Sequence, residues 1–148
     1  MNSLSVRSCI VLVALAVLTL GVNNASLKAQ SVSLVVKVPF AFQAGDTTLP
    51  AGTYTLKRQG EAVRIRDANG HDTSVISNAI PNRAKGVANE LTFSHYGNTY
   101  FLSEVCWSDY STARGIQKSS SEQKLAKTAK PESVKLSGKP GDDATPTK

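Results

Sequence analysis

Between residues 31 and 80, apolar and polar side chains alternate with the period of two that is typical of β-strands. In VSLVVKVPFAF the apolar side chains of one face are Leu34, Val36, Val38, Phe40 and Phe42. Because Pro39 cannot donate a ladder hydrogen bond, this strand is predicted to lie at a sheet edge or to bulge there. The alternation also predicts that Phe40, Phe42 and Tyr54 are buried, as parts of the frame of a small β-domain.

Turn signals separate the apolar stretches at intervals of about eight to twelve residues. The pairs Gly45-Asp46, Asn69-Gly70 and Gly97-Asn98 are typical of hairpin turns, and LPAG at 49–52 fits a type I turn. The last apolar stretch, TYFLSEVCW, is apolar on both faces and is predicted to be a central strand. Together these features predict an all-β fold, a small antiparallel β-sandwich or barrel of six to seven short strands.

The composition changes after Asp109. Ser119 and Glu122 have the spacing of a helix capping box, which predicts a short C-terminal helix within a linker segment at 115–130. Residues 131–148 are rich in Pro, Gly, Lys and Ser without a regular apolar spacing, and this segment is predicted to be a disordered tail. The β-domain itself is predicted to cover residues 30–114.

The first 29 residues have the three-part plan of a secretory signal peptide. A start that carries only Arg7 precedes an apolar run of 14 residues from Cys9 to Val22, and small and polar residues follow. A helix that spans a membrane needs about 20 apolar residues. Cleavage after Ala29 is therefore predicted, with retention as an uncleaved anchor as the alternative, because Leu27 is larger than a cleavage site prefers. The protein is expected to be exported, periplasmic or extracellular, and to meet a membrane only through an uncleaved signal.

The formal charge of the chain is +6, but this charge is unevenly distributed. Without residues 1–29, which hold two basic and no acidic residues, it is +4, and residues 115–148 carry +3 of this from seven lysines and four acids. Residues 30–114 hold eight basic and seven acidic residues. The high isoelectric point thus describes the end of the chain and not a basic face, which argues against a nucleic-acid partner.

Side chains suited to catalysis are few. The chain has two histidines, His71 and His95, and after removal of the signal its one cysteine is Cys106. His95 is predicted to face Tyr100 across the last hairpin, which leaves Cys106 about 20 Å further along the strand. A metal site needs three or four ligands in close spacing. The sequence therefore predicts a non-enzymatic protein without a metal or cofactor, in which Cys106 is buried.

Aromatic residues cluster on the last hairpin. Tyrosine and tryptophan combine a large contact area with a polar group, and both are common in binding surfaces. The possible binding surface consists of Tyr96, Tyr100, Trp107 and Tyr110. Core packing is the favoured interpretation for Trp107, whereas Tyr110 is expected to be exposed.

Four motifs in this order, VPFAFQAGDTTLPAGTYTL, VRIRD, YFLSEVCW and KSSSEQKLA, resemble a family of uncharacterised small exported proteins that is abundant in acidobacterial genomes. The resemblance spans about Val35 to Ala126. The residues that carry it are Pro39, Phe40, Phe42, Gly45, Leu49, Pro50, Ala51, Gly52, Tyr54, Tyr100, Phe101, Leu102, Trp107, Ser119 and Glu122. It implies an exported β-domain but no reaction and no catalytic residue, and Cys106 departs from the family pattern.

The sequence thus favours an exported, non-catalytic β-domain with a structural or interaction role in the cell envelope or outside the cell. Its partner would be an envelope protein or a glycan. The alternative is a ligand-binding module for carbohydrate or peptide that uses the exposed aromatic residues of the last hairpin. A concave pocket with converging polar groups would distinguish a ligand-binding module from a structural domain.

Overall fold

A computed structural model of the protein describes residues 32–81, 88–108, 110 and 112–141. Strands make up 62% of these residues, which confirms the predicted all-β class. The predicted signal peptide, residues 1–29, lies outside the described residues. The strands are β1 Ser33–Val38, β2 Phe42–Ala44, β3 Thr47–Leu49, β4 Gly52–Gln59, β5 Ala62–Asp67, β6 Asp72–Ile80, β7 Glu90–Tyr96, β8 Thr99–Cys106, β9 Ala113–Ile116, β10 Glu132–Ser137 and β11 Lys139–Gly141.

The strands form one sheet in the order β10-β7-β8-β9-β6-β5-β4-β1-β11, and β2 joins it through β8 and pairs with β3. All pairs are antiparallel except the single bridge between Gln43 of β2 and Phe101 of β8. The expected count of six to seven strands is too low. Breaks at residues 39–41 and 50–51 divide the first stretch into more strands, and further strands follow residue 109.

The predicted hairpin turns are confirmed at 45–46, 69–70 and 97–98. In the second of them Asp67 organises the turn, because its Oδ1 atom accepts hydrogen bonds from the main-chain N–H groups of Asn69 and His71. Gly70 has a φ of 88°, which lies in the left-handed region that glycine adopts without strain. The turn residues therefore determine the register of β5 and β6.

Strand β1 is not the edge strand that Pro39 suggested. It pairs with β4 over its whole length and with β11 over Ser33–Val35. The strand ends at Val38, immediately before the proline, and β2 begins at Phe42. The missing N–H of Pro39 thus interrupts the strand and does not exclude it from the interior of the sheet.

The core brings together side chains from both halves of the strand order. Phe42 packs edge to face on Tyr54 of β4 and on Phe93 of β7, with ring centroids 5.3 Å apart in each pair. Trp107 is buried and its Nε1 atom donates to the carbonyl of Leu56, 3.4 Å away. Phe42 and Tyr54 are buried as predicted, whereas Phe40 is only half-buried.

The predicted disordered tail is wrong for residues 132–141. Strand β10 pairs with β7 over six residues, and β11 pairs with β1. Val134 and Leu136 alternate toward the core, a period-two signal that the polar composition of this segment obscures. Residues 142–148 lie outside the described residues.

Strands β10 and β11 occupy the two ends of the hydrogen-bonded order, although only Gly138 separates them along the chain. A Cβ atom on Gly138 would clash with Leu34 Cδ1 and with Val36 Cγ2. Glycine is therefore required where the chain passes from one end of the sheet to the other. Among the described residues, the sheet is nevertheless not closed into a hydrogen-bonded barrel.

One helix, α1, is present in the described part of the chain and covers Ser120–Leu125. It is not the last element, because β10 and β11 follow it, and β9 crosses the predicted boundary at residue 114. Ser119 caps the helix by accepting a hydrogen bond from the Glu122 N–H at 3.1 Å. In a complete capping box, the glutamate carboxyl would also accept a hydrogen bond from the main-chain N–H of the cap residue. Here the Glu122 carboxyl group bonds with Ser94 of β7 instead. The Glu122 side chain thus links the first turn of α1 to β7.

Candidate binding groove

Two of the four aromatic residues of the predicted surface are in the interior. Trp107 is 1% exposed and Tyr96 is 5% exposed, so neither offers a face to a ligand. The core interpretation of Trp107 is confirmed. Tyr96 packs edge to face on Phe101.

The other two aromatic residues are half-buried and have separate partners. Tyr100 is stacked between Phe40 and His95, with ring centroids 3.8 and 4.1 Å away. Tyr110 packs edge to face on Trp107, and the Arg58 guanidinium lies 5.2 Å from its ring centroid. The four aromatic rings therefore do not form one exposed surface.

The residues most suited to acid–base or thiol chemistry lie apart. His71 is at the tip of the β5–β6 hairpin, with Nδ1 3.0 Å from Asp67 Oδ2. His95 faces Tyr100 in the register, as predicted, and its Nδ1 lies 3.6 Å from Glu132 Oε2. Cys106 is buried, as predicted, at the far end of β8 opposite Glu90. Within the described ranges, no group of three or more His, Cys, Asp or Glu side chains is placed to hold a metal ion.

A groove of about 390 Å³ opens on another part of the molecule. Its walls are the β2–β3 turn, the middle of β6 and the connection from β9 to α1. The lining residues are Ala44, Gly45, Asp46, Thr47, Ser74, Val75, Ile76, Gln117, Lys118, Ser119 and Ser120. No aromatic ring is among them, and the predicted surface residues take no part in it.

Local sequence determines how the walls of the groove are placed. Gly45 has a φ of 59°, and a Cβ atom there would contact Val75 Cγ1 at 3.5 Å, so the β2–β3 turn lies close to β6. On the other side, the Ser119 cap fixes the start of α1, and Gln123 Nε2 donates to the carbonyl of Lys118 at 3.1 Å. The groove is therefore framed by a tight turn and a capped helix start.

The wall formed by β6 has an open main-chain edge. The Ser77 N–H bonds with the Glu61 carbonyl at 2.7 Å on the β5 side, whereas the Ile76 carbonyl accepts from Gln117 N–H at 3.1 Å on the β9 side. Main-chain groups of alternate residues in a strand point to the same edge. The N–H and C=O of Ser74 therefore point to the β9 side. Ser74 pairs with Arg64 of β5, but pairing with β9 covers only Ser77–Ile80, so on the β9 side none of the described strands pairs with β6 at Ser74.

The side chain beside this edge is unusually apolar for the surface. Ile76 is 64% exposed, and its neighbours on the same face of β6 are polar. Lys118 and Asp46 supply one charge of each sign to opposite walls of the groove. The site can thus offer main-chain hydrogen bonds, an apolar contact and charged groups at its sides. None of the groove residues was predicted from the sequence, although isoleucine at the outward positions 76 and 80 of TSVISNAI is a local signal for an exposed apolar site on this strand.

A buried carboxyl group lies next to the groove, on the first turn of α1. Glu122 is 3% exposed, and its Oε1 atom accepts no hydrogen bond from the residues that the structure describes. Burial raises the pKa of the Glu122 carboxyl, although the charge of Lys118 and the hydrogen bond with Ser94 partly oppose this shift. The Glu122 carboxyl therefore holds its proton more tightly in the folded protein than in the unfolded chain.

The stability of the Glu122→Gln variant is expected to exceed that of the natural protein by a margin that grows as the pH rises. A carboxyl group with a raised pKa binds its proton more tightly in the folded state, so stability falls between its unfolded pKa, about 4.3, and its higher folded pKa. Glutamine does not ionise, and the variant should lack this fall. Thermal unfolding from pH 4 to 8 would measure the difference in melting temperature between the two proteins.

The matched control is Glu61→Gln, which changes an exposed carboxyl group in the β4–β5 turn. This control should follow the pH profile of the natural protein. A melting-temperature difference between Glu122→Gln and the natural protein that stayed constant over this pH range would contradict the prediction.

Comparison of the chain with protein-family models, with curated proteins and with solved structures gave no match. In the described ranges, the helical structure is too short and too polar to cross a membrane.

Proposed function

We propose that this protein is an exported, non-catalytic β-domain that binds a partner in the cell envelope or outside the cell through the groove beside β6. The observation that carries this proposal is the combination of the open β6 edge with the exposed side chain of Ile76. An unpaired strand edge and an exposed apolar side chain are both features by which proteins associate.

Export is supported by the apolar run from Cys9 to Val22 and by the small residue Ala29. The absence of a catalytic role is supported by the distances along β7 and β8, which separate His95 from Cys106, and by the position of His71 at a hairpin tip. Nucleophilic catalysis requires a base within hydrogen-bond reach of the nucleophile. A binding role requires none of these groups.

The four sequence motifs support membership in the family of small exported acidobacterial proteins. For the architecture, a two-layer sandwich is supported by the aromatic contacts of Phe42 with both Tyr54 and Phe93. The Trp107–Leu56 hydrogen bond also joins residues that are distant in the strand order. A glycan partner held by the last hairpin has less support, because Trp107 and Tyr96 are buried.

Photo-crosslinking in the cells that produce the protein would test the binding role. A photoreactive amino acid at Ile76 should give one defined protein adduct in the envelope or medium, because this side chain lies beside the open edge. The same amino acid at Lys37, an exposed position on β1, is the control and should not give that adduct. Mass spectrometry would identify the adduct and should show that the exported chain starts at Gln30.

Identical adducts from both positions, or none from either, would argue against a binding role for the groove. A protein that retained Met1 and stayed inside the cell would contradict export.

A further inference from the structure

The β6 edge at Ser74 resembles the edges to which proteins add an extended peptide. In this mode of recognition, main-chain hydrogen bonds hold the peptide as an extra strand, and side-chain contacts select its sequence. Ser74 presents both its N–H and its C=O to the β9 side, where β9 has already ended. A peptide could therefore continue the position of β9 along β6.

The walls of the groove fit an extended chain better than a sugar ring. The opening is bounded by the β2–β3 turn on one side and by residues 117–120 on the other, which leaves a channel beside the strand edge. Its lining has hydroxyl, amide and charged side chains but no aromatic ring on which a sugar would stack. Ile76 lies beside the same edge and offers an apolar contact to one side chain of an added strand.

The charges of the groove indicate the side chains that such a peptide would carry. Lys118 lies on the wall formed by the β9–α1 connection, and Asp46 lies on the wall formed by the β2–β3 turn. Opposite charges on the two walls complement a peptide with an acidic group on one side and a basic group on the other.

We infer that the groove binds an extended peptide segment of a partner protein, which adds as a strand to β6 at Ser74, with an apolar side chain against Ile76. This inference rests on the proposed binding function and specifies how the partner is recognised. Specificity then comes from Ile76, Lys118 and Asp46, while Ser74 contributes only main-chain groups.

The decisive variants are Ser74→Pro and Ser74→Ala. Proline removes the N–H that points to the groove but not a hydrogen bond to β5, so it is tolerated at this edge position. Alanine removes the hydroxyl group and retains the main-chain donor. Circular dichroism of the chain without residues 1–29 would establish that both variants keep the fold of the natural protein.

The probe is a phage-displayed library of random heptapeptides, selected on the natural protein, with the enriched peptides then synthesised and titrated by calorimetry. We expect peptides that combine an apolar residue with charged ones. Ser74→Pro should weaken their binding about tenfold or more, through the loss of a main-chain hydrogen bond and steric exclusion. Ser74→Ala should bind within about threefold of the natural protein.

A second measurement uses the natural protein alone and does not depend on the folding of any variant. N-methylation of the best peptide at successive residues should weaken binding at the residue that pairs with Ser74 and not at the residues on either side of it, because only alternate N–H groups of an added strand face the edge. Enrichment of no peptide, equal effects of proline and alanine, or tolerance of N-methylation at all positions would overturn the inference. A soluble oligosaccharide that bound in the groove in place of peptide would also overturn it.

Failure of strand addition can be distinguished from failure of the proposed binding function. If photo-crosslinking at Ile76 gave its specific adduct while Ser74→Pro left peptide binding unchanged, the binding role would stand and strand addition would be wrong. If no adduct formed at Ile76, the proposed function would fail as well.

Discussion

Phe42→Ala is expected to reduce the free energy of unfolding by about 3 to 5 kcal/mol, the usual cost of removing a buried phenylalanine ring. The ring of Phe42 is 2% exposed and packs edge to face on Tyr54 and on Phe93. Its removal would leave a cavity between strands that are far apart in the sheet order. Denaturant unfolding monitored by the fluorescence of Trp107 would measure the change.

Phe40→Ala is the matched control for this prediction. Phe40 is on the same chain segment and also contacts Phe93, but it is only half-buried and stacks on Tyr100 near the surface. The sequence pattern predicts equal losses for both rings, whereas the structure predicts a clearly smaller loss for Phe40. Equal losses would mean that the burial difference between the two rings is not what determines their contributions.

Deletion of residues 132–148 is expected to lower the melting temperature by about 10 °C or more. The deletion exposes the β7 edge and the β1 edge, and it removes the packing of Val134 and Leu136 on the core. Partial burial of these two side chains contributes about 1 to 2 kcal/mol each, and 1 kcal/mol corresponds to about 4 to 8 °C in a domain of this size. Thermal unfolding by circular dichroism is the measurement.

Gly138→Ala tests the same segment with a single methyl group. A Cβ atom at Gly138 meets Leu34, Val36 and the main chain of Val35, and crowding of this kind costs about 1 to 3 kcal/mol. Gly52→Ala is the control, because the nearest atoms around its Cβ position belong to the Tyr54 ring at 3.6 Å, an ordinary contact distance.

An unchanged melting temperature after deletion of residues 132–148 would show that this segment does not stabilise the domain.

The turns and the buried face of the first strands could be predicted from the sequence because their signals are local. Gly45-Asp46, Asn69-Gly70 and Gly97-Asn98 specify hairpins within a few residues. The alternation in β1 and β4 directly gives the side chains that face the core. The pairing of His95 with Tyr100 followed from the turn between them.

Features that depend on distant partners could not be predicted in the same way. The composition of residues 131–148 resembles that of disordered segments, and only the open edges of β7 and β1 explain why part of it forms strands. Likewise, Trp107 and Tyr96 were candidates for a surface because the sequence does not show what covers them. The groove combines residues 44–47, 74–76 and 117–120, a turn, a strand and a connection that only the tertiary fold brings together.

The location of β10 and β11 at both ends of the sheet affects when the domain can form. Ser33 Oγ donates to the carbonyl of Gly141 across 108 residues of sequence, so the two chain ends of the described fold are joined late in synthesis. A chain translated or threaded through a membrane from its N-terminus leaves both sheet edges unpaired until its final segment emerges. Contacts of such long sequence separation also form slowly. The fold therefore cannot complete its sheet until residues 132–141 are available, so pairing of the two edges is among the last events in the formation of the domain.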